Sequence, residues 1–302
     1  MKIIAFFSEK GGVGKSTFTL MYASWLKKHG VKVGVADFNK RLTEYRKDEI
    51  AFLKKNGTFD DSMLESAWPI IPVDRKFAAQ FGADNPGNAI WLDTQIREGG
   101  LRDLDVLLVD LPGATSGKEL PELIICKMLN MIIIPVEKDR QTLGAALAVK
   151  NFLIKANTCR FFGFINKIQT SYGKKADYVK IMRVMKRQGL PMLPDMVSFS
   201  SRMENFEKVD MMRSTFAYPD WDLPAYKGSR DLGIENLFYD IAREMLKVSD
   251  YRDTRPADLS FVESLKKDTS MQSLNRQLND TSFPEYEIEL SEDMKTRFKK
   301  NR

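Results

Sequence analysis

Short apolar runs recur along the chain up to about residue 250, and helix-length stretches separate them. Ile3-Ile4-Ala5-Phe6-Phe7 is the first run; Thr17 to His29 then sets Phe18, Met21, Tyr22, Trp25 and Leu26 at helical spacing. Gly30 stops that helix, and Val31-Lys32-Val33-Gly34-Val35-Ala36 opens the next strand. Val106 to Val109, Met131 to Ile134 and Phe161 to Ile165 continue the series. Short β-rich runs alternating with helices predict an α/β fold, a mostly parallel twisted sheet with helices on both faces. Ligands of such sheets bind at the carboxyl ends of the strands.

The stretch from residue 40 to 104 is less regular. Helical spacing from Leu42 to Leu53 and a turn-rich piece at Asn85-Pro86-Gly87 predict helices joined by a variable connection. Past residue 250 the apolar periodicity fades. The chain therefore divides into a domain over 1–248 and a polar extension over 249–302, partly helical between Asp258 and Leu278 or disordered.

Composition trims the function classes. No apolar run approaches the roughly 20 residues of a membrane-spanning helix, and the opening residues lack a signal-peptide layout. Cys126 and Cys159 are the two cysteines, too few and too far apart for a disulfide framework or a metal-ligand pattern, so a reducing cytoplasm is expected. The single histidine, His29, sits in a lysine-rich helix end and reads as a solvated residue, which sets histidine catalysis aside. A formal charge of +6 favours an anionic partner surface without choosing between nucleic acid and membrane.

Candidate chemistry concentrates between the first strand and the first helix, in Ser8-Glu9-Lys10-Gly11-Gly12-Val13-Gly14-Lys15-Ser16-Thr17. Gly11, Gly12 and Gly14 allow a tight turn whose N–H groups converge on one concavity. The helix starting near Lys15 adds the positive end of its dipole. Lys15 is placed to reach β- and γ-phosphates, Ser16 to ligate Mg2+, and Thr17 to bond an α-phosphate. The standard phosphate loop would carry glycine at position 9; this chain has Glu9, followed by a second lysine, Lys10.

With that lysine, residues 10 to 17 resemble the deviant Walker A motif of the ParA/MinD family of ATPases. The resemblance implies ATP and Mg2+ as cofactors, with Gly11, Gly12, Val13, Gly14, Lys15, Ser16 and Thr17 around the phosphates. It also implies an ATP-dependent homodimer, in which Lys10 crosses to the ATP of the other subunit. There it would neutralise charge at the γ-phosphate as an arginine finger does. Asp105 to Gly113 resembles the family's Walker B strand, implying Asp110 on Mg2+ through water and a Pro112-Gly113 turn by the γ-phosphate; alone, Asp110 also fits a turn residue ending a buried strand. Ile134-Pro135-Val136 with Asp139 and Thr142 resembles the family's next strand end and helix start. Asn166 resembles its adenine-reading asparagine, although it equally fits a strand-ending turn. Gly233 to Leu246 resembles the closing helix.

One position departs from the family. Its usual Asp-x-Asp after the second strand is Asp37-Phe38-Asn39 here, and the second acid is the one that positions the hydrolytic water. An amide is a far weaker base than a carboxylate, yet phosphoryl transfer leans mostly on positioning and electrostatics. Slow ATP hydrolysis, a long-lived ATP dimer, or rescue by Asp37 is expected. The catalytic candidates are thus Lys10, Lys15, Asp37 and Asn39.

The resemblance points to a ParA-like partition ATPase, cytoplasmic and nucleoid-associated, binding DNA non-specifically and answering to a ParB-like partner. Lys174, Lys175, Lys180, Arg183, Lys186 and Arg187 fall on a predicted helix and suit phosphate contacts, or form a solvated face. With the first strand starting at the chain's opening, a preceding operator-reading domain is not expected. The alternatives are a MinD-like membrane switch and a small-molecule ligase with a pocket shaped by residues 40–104. The membrane switch would use Met294 to Arg302, where Met294 and Phe298 bury too little for firm anchoring. A nitrogenase-reductase-like protein would need paired cysteines, and a tyrosine kinase a tyrosine cluster.

Overall fold

The computed structural model describes residues 1–80, 86–113, 119–125, 127–157, 159–168, 172–198, 214–218 and 233–251. The described elements alternate strand and helix through most of their length. β1 (Lys2–Phe6), α1 (Lys15–Lys28), β2 (Val33–Asp37) and α2 (Arg41–Lys55) come first, followed by α3 (Ser62–Ser66), β3 (Ile70–Pro72), α4 (Arg75–Ala79) and α5 (Gly87–Glu98). Then come β4 (Val106–Asp110), α6 (Glu119–Ile125), β5 (Met131–Val136), α7 (Arg140–Ala156), β6 (Arg160–Ile168), α8 (Tyr172–Arg187), β7 (Met192–Ser198) and α9 (Ile234–Met245).

The seven described strands form one sheet in the order β3-β2-β4-β1-β5-β6-β7, and every neighbouring pair is parallel. From β1 the chain passes through α1 to β2, two places away on one side, while β5 lies against β1 on the other. Connections leaving the carboxyl ends of β1, β4 and β5 therefore diverge, which opens a crevice there.

Strand side chains alternate between two apolar layers, as a sheet covered on both faces requires. Ile3, Ala5, Leu107, Val109, Ile132 and Ile134 pack with Trp91, Leu123, Leu147 and Met185 from α5 to α8. Ile4, Phe6, Leu108 and Ile133 pack with α1 and α9 on the opposite face. There the aromatic side chains predicted for one helical face, Phe18, Tyr22 and Trp25, gather around Phe6 and Phe238. α1 is buried continuously from Lys15 to Leu26, so its amino end is held rigidly under the crevice.

Two strands and one boundary differ from the sequence reading. β3 is only a three-residue strand, and β7 hides its period behind Pro194 and Asp195. Both are edge strands, where a proline is tolerated. Tyr251, read as the start of the polar extension, is 3% exposed. Its N–H donates to Met1 O at 2.9 Å and its hydroxyl to Asp93 Oδ1 at 2.5 Å, while Asp250 pairs with Lys2 at 2.9 Å. Residues 249–251 thus close against the amino end of β1. Residues 252–302, with the expected helix at 258–278 and the basic end at 294–302, lie outside the described residues.

Tyr251→Phe removes the hydroxyl from a buried carboxylate. It should lower unfolding stability by about 1–3 kcal/mol in chemical denaturation, with the chain still folded.

Candidate nucleotide-binding site

β1 ends in the loop that the glycine spacing predicts, and the loop's conformation depends on those glycines. Gly12 and Gly14 have φ of 75° and 92°, in the left-handed region that favours glycine. A Cβ on Gly11 or Gly12 would meet open space, whereas one on Gly14 would press on the Phe18 ring. Gly14 caps α1 without a side-chain hydrogen bond, so the first N–H groups of the helix keep their capacity for an anion. Thr17 is buried in the first turn of the same helix.

The lysines of the loop are held in different ways. Lys15 is buried, and its Nζ donates back to Lys10 O at 3.0 Å. Burial lowers its affinity for a proton, the nearby Asp110 charge works against that shift, and Arg41 adds to it. Gly113, after β4, closes over this lysine: a Cβ there would lie 3.6 Å from Lys15 Nζ. Pro112 precedes it in the same turn. Lys10 faces the other way, its Nζ 2.9 Å from Asp139 Oδ2 and 4.0 Å from Glu137 Oε2, with a third of its side chain exposed. Burial would raise the Asp139 carboxyl, yet hydrogen bonds from Thr142 and Lys10 hold it below its ordinary value.

Acids gather on the β4 side. Ser16 Oγ donates to Asp110 Oδ2 at 2.8 Å, and Asn39 Nδ2 donates to Ser16 Oγ at 3.3 Å. Asp110 is fully buried, and its Oδ1 has no hydrogen-bond partner among the described residues. Burial first, and the neighbouring Asp37 charge second, push its carboxyl up to about 7. A buried carboxylate with an unanswered oxygen beside a serine hydroxyl is a hard-oxygen donor set, which fits Mg2+. The open glycine cradle and uncapped helix end likewise fit a polyphosphate. Bound there, the ion would supply positive charge to the phosphates, while Lys15 and the loop N–H groups orient them.

Other expected site residues sit in the crevice with specific partners. Asp37 is fully buried and engaged: Oδ2 accepts from Thr43 N at 2.8 Å and Thr43 Oγ1 at 2.7 Å, and Oδ1 accepts from Asn39 N at 3.2 Å. Burial still raises its carboxyl above the ordinary value despite those bonds. In this arrangement Asp37 shapes the start of α2 rather than presenting a free base. Asn166 is 4% exposed at the end of β6, and its Nδ2 donates to Val13 O at 3.0 Å, directing the amide at the loop itself. The sequence reading missed Glu137 and Lys167; the only available signal was their place just after strand ends.

Residues 1–39, which carry β1, the loop, α1 and β2, match the ParA family model described as NUBPL iron-transfer P-loop NTPase. The similarity to the ParA family thus lies in the loop and the elements on either side of it. A stretch of 156 residues is 28% identical to the iron–sulfur cluster carrier protein of Clostridium perfringens, covering 45% of this chain and 53% of that protein. The chain thus spans about half the length of that curated relative. In fold, the chain is similar to the MinD cell division protein of Aquifex aeolicus, with a TM-score of 0.53 at 17% identity over 83% of this chain and 99% of that one. It is equally similar to a Borrelia burgdorferi B31 protein assigned to plasmid partition and bound to AMPPNP, with a TM-score of 0.53 at 19% identity over 80% of this chain and 98% of that one. No described helix is long and apolar enough to cross a membrane.

The raised Asp110 carboxyl gives a signed pH dependence. Its ordinary value is 3.8 and its folded value about 7. Between these the folded chain keeps a proton that the unfolded chain has lost, so stability falls as pH rises through that window. In chelator, Asp110→Asn should therefore raise the thermal midpoint relative to wild type at pH 8. The gain should shrink towards pH 4, and scans at the two pH values measure it.

Proposed function

We propose that the chain is an ATP-dependent dimeric switch of the ParA type, a slow ATP hydrolase that holds Mg-ATP in the loop and binds DNA non-specifically when dimeric. The observation that carries this reading is the division between the two lysines. Lys15 folds into its own loop, while Lys10 stands at the mouth on Asp139, where a second subunit could receive it. A cation delivered from a neighbour makes ATP the link between subunits. Ser16 and Asp110 would hold Mg2+, the latter through water, and Asn166 stands beside the loop at the expected adenine side.

The DNA assignment draws on α8. Lys180, Arg183, Lys186 and Arg187 are all exposed, and 180, 183 and 187 recur at helical spacing. Such a row suits phosphate oxygens along a duplex without reading bases. A ParB-like activating partner would then trigger release and turnover. Cluster carriage, suggested by the Clostridium relative, draws less support: it requires thiolate ligands, and of the two cysteines Cys159 packs against the apolar core. Cys126 lies outside the described residues.

Size-exclusion chromatography with light scattering tests the switch on apo, ADP and ATP forms. Wild type should dimerise with ATP alone and then retard DNA of unrelated sequences but not sediment with anionic vesicles. Lys10→Ala should stay monomeric. A wild type that remains a monomer with ATP overturns the reading.

Asn39 sets the expected pace. Its amide donates to Ser16 and carries no negative charge, so it cannot accept a proton from the attacking water. Asn39→Asp should raise steady-state ATP hydrolysis by about tenfold or more. Equal rates would remove Asn39 as the limit on turnover.

A further inference from the structure

Successive side chains of a strand point to opposite faces, so Asn166 and Lys167 should part at the end of β6. They do not. Asn166 Nδ2 donates to Val13 O at 3.0 Å and Lys167 Nζ donates to Gly12 O at 2.9 Å. Two consecutive residues of β6 hold two consecutive carbonyls of the phosphate loop.

The backbone of β6 accounts for this. Lys167 has φ of 55°, a left-handed conformation that a lysine rarely adopts. The pairing of β6 with β7 also shifts register between Ile165 and Ile168. A bulge at the edge of a site re-aims a side chain, and a strained non-glycine residue beside a ligand loop is a signature of function. The Lys167 ammonium is further fixed by Glu137, whose Oε1 lies 3.1 Å away. Glu137 follows β5, so the ends of two neighbouring strands determine where this ammonium sits.

The trans peptide unit gives the clamp its consequence. In each unit the C=O of one residue and the N–H of the next point in opposite directions. Drawing the Gly12 and Val13 carbonyls towards β6 therefore turns the N–H groups of Val13 and Gly14 the other way. We infer that Lys167 is a positioning residue for the nucleotide phosphates: with Asn166, it sets the direction of the loop N–H groups from outside before the ligand arrives. This rests on the reading of the loop as an ATP site and adds a third lysine to it, one that acts on the loop's carbonyls.

Binding of a fluorescent ATP analogue with Mg2+ tests the inference in wild type, Lys167→Met and Lys167→Arg, alongside thermal unfolding without nucleotide. Methionine keeps the stem and the backbone conformation but cannot donate. Lys167→Met should weaken binding about 10–100-fold with an unchanged nucleotide-free midpoint, the loss expected for a charged hydrogen bond. Lys167→Arg, which restores donor and ion pair, should recover most of the affinity. A Lys167→Met protein that binds like wild type overturns the inference alone. So does one whose loss is matched by a lowered midpoint and not rescued by arginine. A wild type that does not bind the probe overturns the nucleotide reading itself.

Discussion

An anion seat must hold ammonium groups and unpaired N–H donors close together before any anion reaches it, and the carboxyl edge of this sheet is arranged around that constraint. Each lysine there has an oxygen to answer it: Lys15 the Lys10 carbonyl, Lys10 the Asp139 carboxylate, Lys167 the Gly12 carbonyl and Glu137. Across the crevice the converse problem appears, with Asp110 buried beside Asp37 and one of its oxygens left unanswered among the described residues. Separated charges of both signs can persist there because α1, wedged by its aromatic contacts between sheet and α9, does not let the loop collapse.

The sequence makes the loop, its helix and the central strands legible for a physical reason. β1, β2, β4 and β5 are buried along their whole length and read as unbroken apolar runs. β7 is not legible, because an edge strand can carry Pro194 and Asp195. Tyr251 escapes because one buried aromatic at the head of a polar stretch leaves no periodicity to detect. Lys167 is hidden more deeply. On strand alternation it would face away from Asn166, and only the bulge and its positive φ bring it back to the loop. The local neighbours of Lys10 and Asn39 are visible in sequence, but their partners depend on which strand ends the topology brings together.

The chain shares its fold with proteins that, at 17% and 19% identity, are described as a cell division protein and a plasmid partition protein. A shared fold does not by itself choose a function. Several features of this chain are peripheral to the sheet: an amide at position 39, a basic face on α8, and Arg46 half-buried between Trp68 and Phe216 where α2 meets residues 214–218. The last of these fixes α2, the helix that begins just after Asn39, against two other segments of the chain.

Asp139 also has a second occupation. It caps α7, accepting from Thr142 N at 3.0 Å and from Thr142 Oγ1 at 2.5 Å. The positive end of that helix and the threonine donors continue to stabilise the carboxylate whether or not a lysine stands beside it. Lys10 can thus swing away without stranding a bare negative charge. Asp139 is thus a berth that tolerates vacancy: the helix it caps answers its charge with or without the lysine.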